Sequence, residues 1–347
     1  MKKAFITGIT GQDGSYLAEL LLDKHYEVHG LIQKSVTSAN SHFQVLSLDE
    51  RYDINQVAIH YGDICDYSSL FKIIQEIQPD EVYHLAAQSD RQISLESPLE
   101  TAEINALGSL RVFTAVHNSK CNAKIFNASS RELYGSSPSE CPQNEETPFH
   151  PESPYAIAKL FAYYSAMHYR EEYGMKIWSG ILFNHESPRR GENFITRKIT
   201  SGVAKIVSGG QEILYIGNLD AVRDWGYAPD YVEAMWMMLQ SKKPDDYVLA
   251  TGTGHTIREF ISQAFHYAGI SLDWIGKGLL EKGVEKKINK TRVCCLPELY
   301  KPKEKISLIG NSLKFQKILQ WRPKTDFKTL VQKMIEADLK REGKTLC

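Results

Sequence analysis

The feature that most constrains the fold is a glycine turn close to the N-terminus. Gly8, Gly11 and Gly14 follow a short apolar run at 3–7 and precede a segment in which leucines recur at helical spacing. A second apolar run, at 26–32, comes next. Strand, glycine turn, helix and strand make a βαβ unit, which predicts a parallel sheet with right-handed crossovers. A glycine turn in that position predicts dinucleotide binding, because glycines let the backbone approach a pyrophosphate at the helix N-terminus.

The same alternation continues as far as residue 184. Together with the first two strands, the later pattern predicts six strands in a doubly wound, parallel α/β sheet of the Rossmann type. We therefore expect a dinucleotide-binding domain at 1–184 and a smaller α+β lobe for the substrate at 185–347, some of whose elements return to the main sheet. The later strand-like runs lie at 58–61, 81–87, 124–129 and 176–182, and helical patterns lie at 68–77, 101–118 and 153–173.

Composition excludes several classes of protein. The 347 residues include 41 Lys and Arg against 42 Asp and Glu, so the net charge of -1 argues against a nucleic-acid partner. No apolar run of about 18 residues occurs and the chain begins directly with a strand, so we expect neither a membrane span nor a signal peptide. The six cysteines show no metal-ligand spacing. They are expected to be reduced thiols of a cytoplasmic protein without a metal site.

The loops that follow the first, third and fourth strands are expected to line one crevice, because the carboxyl ends of parallel strands meet at one edge of the sheet. The second strand ends without an acidic residue for a ribose 2′-hydroxyl, whereas Lys34 suits a 2′-phosphate. NADP is therefore favoured over NAD, and the less favoured alternative is that Lys34 is a solvated loop lysine. The residues expected to bind the cofactor are Gly8, Thr10, Gly11, Gln12, Asp13, Gly14, Lys34, Asp63, Ile64, Leu85, Ala86, Ala87 and Gln88.

A second pattern indicates proton-transfer chemistry. Tyr155 and Lys159 are four residues apart in a predicted helix, so the ammonium and the phenol share one face. A nearby cation stabilises a phenolate and makes tyrosine a usable base. Ser130 ends the predicted strand at 124–129, at the edge where such sheets bind ligands. Ser130, Tyr155 and Lys159 together match the triad of short-chain dehydrogenases, although the tyrosine–lysine spacing alone also occurs by chance.

The chain resembles the extended short-chain dehydrogenase/reductase superfamily and, within it, the GDP-mannose 4,6-dehydratase family. The resemblance runs nearly end to end, and the NHESPRRG stretch is its most specific part. The segments that carry it are GITGQDGSYLAE at 8–19, SRELYG at 130–135, NHESPRRG at 184–191, TRKI at 196–199, GNLD at 217–220, RDWG at 223–226 and DYVEAMW at 230–236.

The resemblance implies an internal oxidation and reduction of a GDP-sugar with tightly bound NADP. Tyr155 would take the proton of the sugar 4-hydroxyl as C4 is oxidised, and Glu132 would remove the C5 proton as water leaves C6. The product would be a 4-keto-6-deoxy sugar. Glu132 distinguishes this reaction from the alternative, a nucleotide-sugar epimerase or 4-reductase of the same superfamily, which needs no carboxylate there. A catalytically inactive binding module would be expected to lack Tyr155 or Lys159, and both are present.

Several binding residues are implied by the resemblance alone. Asn184, Lys198 and Arg223 would hold the nucleotide diphosphate, and Glu304 would hold the guanosine ribose. His185 and Arg190 would contact the cofactor. The remaining residues expected at the substrate are Ser94, Arg131 and Lys301.

The chain departs from the family pattern at two places near the expected sugar site and at one, Lys301, on the nucleotide side. Arg131 replaces a serine, Asp90 and Arg91 replace a histidine and a valine, and Lys301 replaces an arginine. If the side chain of Arg131 points into the site, it would weaken Glu132 as a base. If it points out of the site, it would have no part in the reaction. These departures suggest a modified GDP-hexose such as GDP-manno-heptose, with GDP-mannose as the default. We expect a homodimer through the helices at 101–118 and 153–173, with a homotetramer as the alternative.

Overall fold

A computed structural model of the chain describes residues 1–33, 49, 51–136, 140–300 and 307–344. The chain forms two compact units, each built from distant segments. Unit 1 comprises Met1–Phe183, Ala228–Leu249 and Asn311–Arg322. Unit 2 comprises Asn184–Tyr227, Ala250–Gly310 and Pro323–Cys347. The chain passes from unit 1 to unit 2 at residue 184, the predicted position, and it crosses between the two units again further along. The domain boundaries given above stay a prediction.

Unit 1 is built on a parallel sheet of seven strands within the described residues. The strands are β1 Lys3–Thr7, β2 Glu27–Ile32, β3 Val57–Tyr61, β4 Glu81–His84, β5 Lys124–Ser130, β6 Lys176–Leu182 and, after the first part of unit 2, β10 Asp246–Leu249. Their order is β10-β6-β5-β4-β1-β2-β3. The doubly wound α/β fold is confirmed, but the count of six strands is wrong. The seventh strand is only four residues long and follows irregular sequence. No alternation of strand-like and helix-like segments therefore predicts it.

Alternating residues of the interior strand β1 pack on opposite faces of this sheet. Ala4 and Ile6 of β1 belong to one buried cluster, and Phe5 belongs to another. Both faces therefore need a helical layer, as a buried parallel sheet does. The helices of unit 1 are α1 Gln12–Asp23, α2 Tyr67–Ile77, α3 Arg91–Glu96, α4 Pro98–Ala102, α5 Gly108–Asn118, α6 Pro154–Glu172, α8 Ala228–Gln240 and α10 Leu313–Leu319.

The predicted helix at 101–118 is interrupted. A π-helical segment, Glu103–Leu107, separates α4 from α5, and it contains the buried Asn105. Such segments often lie at functional sites. The predicted strand at 81–87 also ends early, because only Glu81–His84 pairs with its neighbours. Its last three residues form a loop beyond the sheet edge.

In the described part of unit 2, two small sheets combine with three α-helices around a core of their own. One sheet has the order β11-β9-β7 and the other has the order β12-β13-β14-β8. No helix in the described part of the chain is both long and apolar enough to cross a bilayer. The elements are β7 Asn184–Glu186, α7 Ile195–Ser208, β8 Leu214–Ile216, β9 Val222–Tyr227, β11 Gly254–Thr256, α9 Ile257–Tyr267, β12 Leu272–Ile275, β13 Lys282–Glu285, β14 Lys290–Cys295 and α11 Phe327–Arg341.

Candidate active site

The glycine turn connects β1 to α1 and leaves no room for side chains. Gly8 has a φ of +76°, and a Cβ there would lie 2.7 Å from the backbone nitrogen of Ala86. A Cβ on Gly14 would lie 2.3 Å from the carbonyl oxygen of Gly8. Helix α1 begins at Gln12, and no side chain caps it at Gly11. This open backbone at a helix N-terminus fits the pyrophosphate of a dinucleotide. The predicted cofactor residues Thr10, Gln12 and Asp13 lie in the same turn and in the first turn of α1.

The loop after β4 lies beside this turn because β1 pairs with both β2 and β4. The direction of chain progression across the sheet reverses at this point, and such a reversal is where α/β sheets bind ligands. Buried His84 accepts or donates hydrogen bonds with Thr7 at 2.8 Å and with Ser109 at 2.9 Å. Burial, assisted by the charge of Lys159, lowers the pKa of His84 to about 3, so the imidazole is neutral. The loop after β4 contains the predicted cofactor residues Leu85, Ala86, Ala87 and Gln88.

Asn105 anchors the same loop, and the sequence analysis missed this residue. Its side-chain oxygen accepts from the backbone nitrogen of Gln88, and its side-chain nitrogen donates to the carbonyl oxygen of Gln88, each at 2.8 Å. The amide is fully buried. The only signal in the sequence is an asparagine on the apolar face of a predicted helix, where a polar residue needs a partner.

The loop after β3 is fixed by its aspartate. Asp63 accepts from the backbone nitrogen of Cys65 at 2.8 Å and from the side chain of Gln33, at the end of β2, at 2.7 Å. Ile64 is buried against α5, close to Gly108. The loops after β2 and β3 are thereby held together. Lys34 lies outside the described residues.

Ser130 and Lys159 meet at the carboxyl end of β5. Ser130 is buried, and its hydroxyl accepts from the backbone nitrogen of Glu132 at 3.2 Å. The ammonium of Lys159 donates to the carbonyl oxygen of Ala128 at 2.9 Å, so the lysine reaches back to the same strand. Burial lowers the pKa of Lys159 to about 8. Tyr155 lies one turn earlier in α6, so the structure brings the helix that carries the predicted pair to the strand that carries the serine.

Glu132 lies in a short 3₁₀ helix that follows β5, and its carboxylate faces two arginines. Its Oε1 lies 2.8 Å from Nη2 of Arg131, and its Oε2 lies 3.8 Å from Nε of Arg91. The side chain of Arg131 is 11% exposed, so Arg131 points inward to the carboxylate. The side chain of Glu132 is 24% exposed and remains within reach of a ligand.

The two other residues expected near the sugar have local hydrogen bonds. The hydroxyl of Ser94 donates to the carbonyl oxygen of Arg91 at 2.7 Å, within α3. Asp90 caps that helix by accepting from the backbone nitrogen of Gln92 at 2.7 Å. Their side chains therefore shape and start the short helix that carries Arg91. A role in sugar binding stays a prediction for both.

Unit 2 holds the residues that the resemblance assigns to the diphosphate. Asn184 on β7 and Arg223 on β9 lie on paired strands, and the guanidinium of Arg223 donates to the carbonyl oxygen of Val222 at 2.9 Å. The side-chain oxygen of Asn184 is buried without a hydrogen-bond partner among the described residues. Burial lowers the pKa of Lys198, which lies in the first turn of α7. Lys301 and Glu304 lie outside the described residues.

The two residues of unit 2 that were expected at the cofactor are buried or ion-paired. His185 is buried in β7. Nε of Arg190 lies 3.2 Å from the buried carboxylate of Glu186, and its guanidinium stacks on the ring of Phe194 at 3.6 Å. These contacts fix the loop after β7. Contact with the cofactor stays a prediction for both residues.

No motif in the sequence singles out Asp224, which joins two loops of unit 2. Its carboxylate accepts from the backbone nitrogens of Thr251, Gly252 and Gly310 at 3.0, 2.9 and 3.2 Å. Burial raises its pKa, although these hydrogen bonds act in the opposite direction. The residue immediately follows Arg223, so it holds in place the strand that carries a predicted diphosphate ligand.

Comparisons with known proteins agree with this geometry. Residues 5–334 match the family model described as GDP-mannose 4,6 dehydratase. The GDP-mannose 4,6 dehydratase of Drosophila melanogaster is 49% identical, over 97% of this chain and 86% of its own length. The GDP-mannose 4,6-dehydratase of Sinorhizobium fredii (strain HH103) is 47% identical over 97% of each chain.

The fold likeness extends further than the sequence likeness. A solved structure of the dTDP-glucose 4,6-dehydratase from Streptomyces venezuelae, with NAD and TYD bound, has a TM-score of 0.80 over 98% of each chain. Its sequence is 20% identical, so it supports the fold alone. The family model, by contrast, spans the ends of β1 and β5 as well as helix α6. The chain therefore belongs to the GDP-mannose 4,6-dehydratase family.

Proposed function

We propose that unit 1 carries the chemical steps of a GDP-sugar 4,6-dehydratase, with Tyr155 and Glu132 as its proton-transferring side chains. Membership of the family makes the chain a nucleotide-sugar 4,6-dehydratase, a hydro-lyase. The epimerase or 4-reductase alternative is not favoured. One observation carries the assignment of roles. A partly exposed carboxylate, that of Glu132, follows the buried Ser130 by two residues at the edge of the sheet where ligands bind.

Tyr155 is the base for the first step. It removes the proton of the sugar 4-hydroxyl while C4 is oxidised, and the ammonium of Lys159 favours its phenolate. The hydroxyl of Ser130 accepts from the backbone at Glu132, so its own proton is available to the sugar 4-oxygen. When bound, the nicotinamide supplies the redox chemistry by accepting hydride from C4 and returning it to C6.

Glu132 performs the elimination. Once C4 is a ketone, the C5 proton is acidic and passes to the carboxylate of Glu132. The C5–C6 double bond forms as the bond between C6 and its hydroxyl oxygen breaks, and the proton on Glu132 joins the departing hydroxyl as water. The carboxylate is thereby regenerated. When hydride returns to C6, C5 takes up a proton, and the proton that Tyr155 removed from the 4-hydroxyl balances this uptake. One side chain then serves as base and acid in turn, which needs a carboxylate that is positioned but still accessible.

A nicotinamide dinucleotide is the cofactor, and we infer that it is NADP. The turn at Gly8 and Gly14 fits the pyrophosphate of either form. At the end of β2, Gln33 takes the place of an acidic residue and holds Asp63 by a hydrogen bond of 2.7 Å. Among the described residues, β2 therefore ends in an amide where NAD-selective sites usually place a carboxylate for the ribose 2′-hydroxyl. Binding of each nucleotide to cofactor-stripped protein, measured by calorimetry, should favour NADP by about 10-fold or more. Equal or tighter binding of NAD would contradict the inference.

The default substrate is GDP-mannose, and the second candidate is GDP-manno-heptose. Arg91 favours the heptose, because its half-exposed guanidinium lies beside Glu132, the residue proposed to act on C5 and C6. The extra carbon of a heptose is attached at C6 and carries a hydroxyl that needs a polar partner. The predicted roles of Asn184, Lys198 and Arg223 at the diphosphate are part of this proposal.

A homodimer is the proposed assembly, and a homotetramer is the alternative. Ile157, Phe161 and Tyr164 form an exposed apolar stripe along α6. Their spacing of four and then three residues places them on one helical face. The neighbouring helices add exposed Leu95 and Leu99. A second copy of the chain would cover this face, because an unpartnered apolar patch of this kind marks an interaction site.

The proposed location is the cytoplasm. The cysteines of the described residues are all unbridged, as they are in a reducing compartment. The substrate and cofactor of the proposed reaction are charged nucleotides.

Glu132→Gln tests the assignment of the elimination step. The variant should bind substrate and oxidise C4 but fail to eliminate water, so reduced cofactor should build up and its near-ultraviolet absorbance should persist. Product formation should fall by about 10²-fold or more, as expected for loss of a general acid–base residue. Glu285→Gln is the matched control, since Glu285 pairs with Arg292 at 2.8 Å in unit 2 and has no proposed role. Product formation by Glu132→Gln at the wild-type rate would refute the assignment.

A further inference from the structure

The carboxylate of Glu132 is held unequally by its two arginines. Nη2 of Arg131 is 2.8 Å from Oε1, which is a close ion pair. Nε of Arg91 is 3.8 Å from Oε2, which is an ion pair but too long for a hydrogen bond. The two carboxylate oxygens are therefore distinct. The close contact of Arg131 is with Oε1, and the longer contact of Arg91 is with Oε2.

The two arginines also differ in how firmly they are held. The side chain of Arg131 is 11% exposed and lies in the 3₁₀ helix next to Glu132 itself. The side chain of Arg91 is 43% exposed and begins the short helix α3. Arg91 is also close to a second carboxylate, Glu152. The pKa of Glu152 is lowered, first by a hydrogen bond from Ser136 and also by the charges of His150 and Arg91.

We propose that Arg131 is a positioning residue that fixes Glu132 through Oε1 and leaves Oε2 as the oxygen that carries the proton from C5 to the departing C6 hydroxyl. The inference rests on the proposed role of Glu132. Fixing one oxygen removes rotation about the terminal bond of the glutamate, so the other oxygen keeps one direction through both proton transfers. Arg91 supplies charge near Oε2 without occupying it, and its contribution is smaller.

This proposal opposes the simpler expectation that an inward arginine weakens the base. If weakening dominated, removal of Arg131 would speed elimination. If positioning dominates, removal slows elimination, because a misplaced reacting group costs about 10²-fold. The sign of the change in rate therefore separates the two accounts.

The test compares Arg131→Met, Arg131→Lys and Arg91→Met in single-turnover reactions of the cofactor-loaded protein. Arg131→Met should lower the rate of product formation about 10²-fold and leave the rate of C4 oxidation within about 2-fold, so reduced cofactor accumulates. The KM for the GDP-sugar should stay within about 2-fold. Arg131→Lys should form product about 10-fold faster than Arg131→Met, because an ammonium restores the charge but not the planar, forked guanidinium. Arg91→Met should cost less than about 5-fold.

A second readout does not depend on product release. In deuterated water, Arg131→Met should incorporate deuterium at sugar C5 more slowly than the wild type, because exchange there requires the Glu132 carboxylate. Arg292→Met is the matched control, since it removes an arginine from an equally close pair with Glu285. It should change neither rate. Thermal unfolding of each variant shows whether lost activity follows lost structure, and Arg131→Lys keeps the test valid if the methionine variant unfolds.

The outcomes separate this inference from the proposed function. If Glu132→Gln abolishes elimination and Arg131→Met slows it with build-up of reduced cofactor, the positioning role stands. If Glu132→Gln abolishes elimination but Arg131→Met matches or exceeds the wild-type rate, Arg131 is not a positioning residue. Slowing of C4 oxidation and of elimination by equal factors in Arg131→Met would also overturn the inference. If Glu132→Gln eliminates normally, both proposals fall.

Discussion

At the scale of single residues, Lys159 links stability to catalysis. It is 4% exposed, and burial lowers its pKa from 10.5 to about 8. Desolvation of an ammonium is unfavourable, so the folded protein is destabilised by this charge wherever the lysine is protonated. In the proposed mechanism, the same charge favours the phenolate of Tyr155. A residue that costs stability in this way is expected where its charge is needed for function.

Lys159→Met should therefore change the pH dependence of stability. Between pH 8 and pH 10.5 the unfolded chain keeps a proton that the folded protein has lost, so this group makes the wild type more stable as pH rises. The free energy of unfolding of the variant minus that of the wild type should be largest below pH 8. That difference should shrink by about 3 kcal/mol as pH rises through 10.5. Denaturant titrations across this range measure it, and a difference that does not vary with pH would contradict the account.

At the scale of elements, the cofactor site depends on how one loop is anchored to one helix. The π-helical segment Glu103–Leu107 turns Asn105 towards the loop after β4, where it makes two hydrogen bonds of 2.8 Å to Gln88. The loop in turn lies against Gly8, where a Cβ would clash with Ala86. The glycine turn and the loop therefore form one surface, and the anchor is as necessary to it as the glycines.

Asn105→Ala should weaken both the fold and the cofactor site. Loss of two buried hydrogen bonds should lower the free energy of unfolding by about 2–3 kcal/mol. The dissociation constant of NADP should rise by about 10-fold, because the Leu85–Gln88 loop loses its fixed position. Denaturant unfolding and calorimetry measure the two effects. Asn118→Ala is the control in the same helical region, since Asn118 makes an exposed hydrogen bond of 2.8 Å to Tyr67. Wild-type NADP affinity in Asn105→Ala would refute the anchoring role.

The sequence predicts those elements whose residues repeat a pattern or carry a turn. The βαβ unit at the N-terminus, the helix with Tyr155 and Lys159 and the strand that ends at Ser130 all follow from local periodicity. Strand β10 does not, because its position at the sheet edge depends on pairing with β6 across an intervening part of unit 2. The roles of Asn105 and Asp224 are hidden for a similar reason. Their partners are backbone groups of loops, which have no signature in the sequence.

The inward pose of Arg131 is a further feature that the sequence leaves open. An arginine next to a glutamate in sequence can point to it or away from it, and only packing decides. The burial of Arg131 and its 2.8 Å contact with Glu132 settle the direction in this structure.

At the scale of the whole molecule, the exposed stripe on α6 predicts assembly. Ile157, Phe161 and Tyr164 are 57%, 43% and 54% exposed, which is unusual for three apolar side chains on one helical face. Phe161→Glu should convert the protein from dimers to monomers in sedimentation velocity, because a buried unpaired charge is strongly unfavourable at an interface. Ile275→Glu is the control, since Ile275 is 57% exposed in unit 2 and lies outside the stripe. A wild type that sediments as a monomer, or a dimeric Phe161→Glu, would contradict the assignment.

The central claim is that this chain dehydrates a GDP-sugar by an internal oxidation and reduction. The most direct measurement is NMR of the purified protein with GDP-mannose, and separately with GDP-manno-heptose, without added cofactor. The account predicts a 4-keto-6-deoxy product from at least one of them, and turnover of the heptose alone would identify Arg91 as a selectivity residue. No turnover of either sugar, or turnover only with stoichiometric consumption of added reduced cofactor, would contradict the claim.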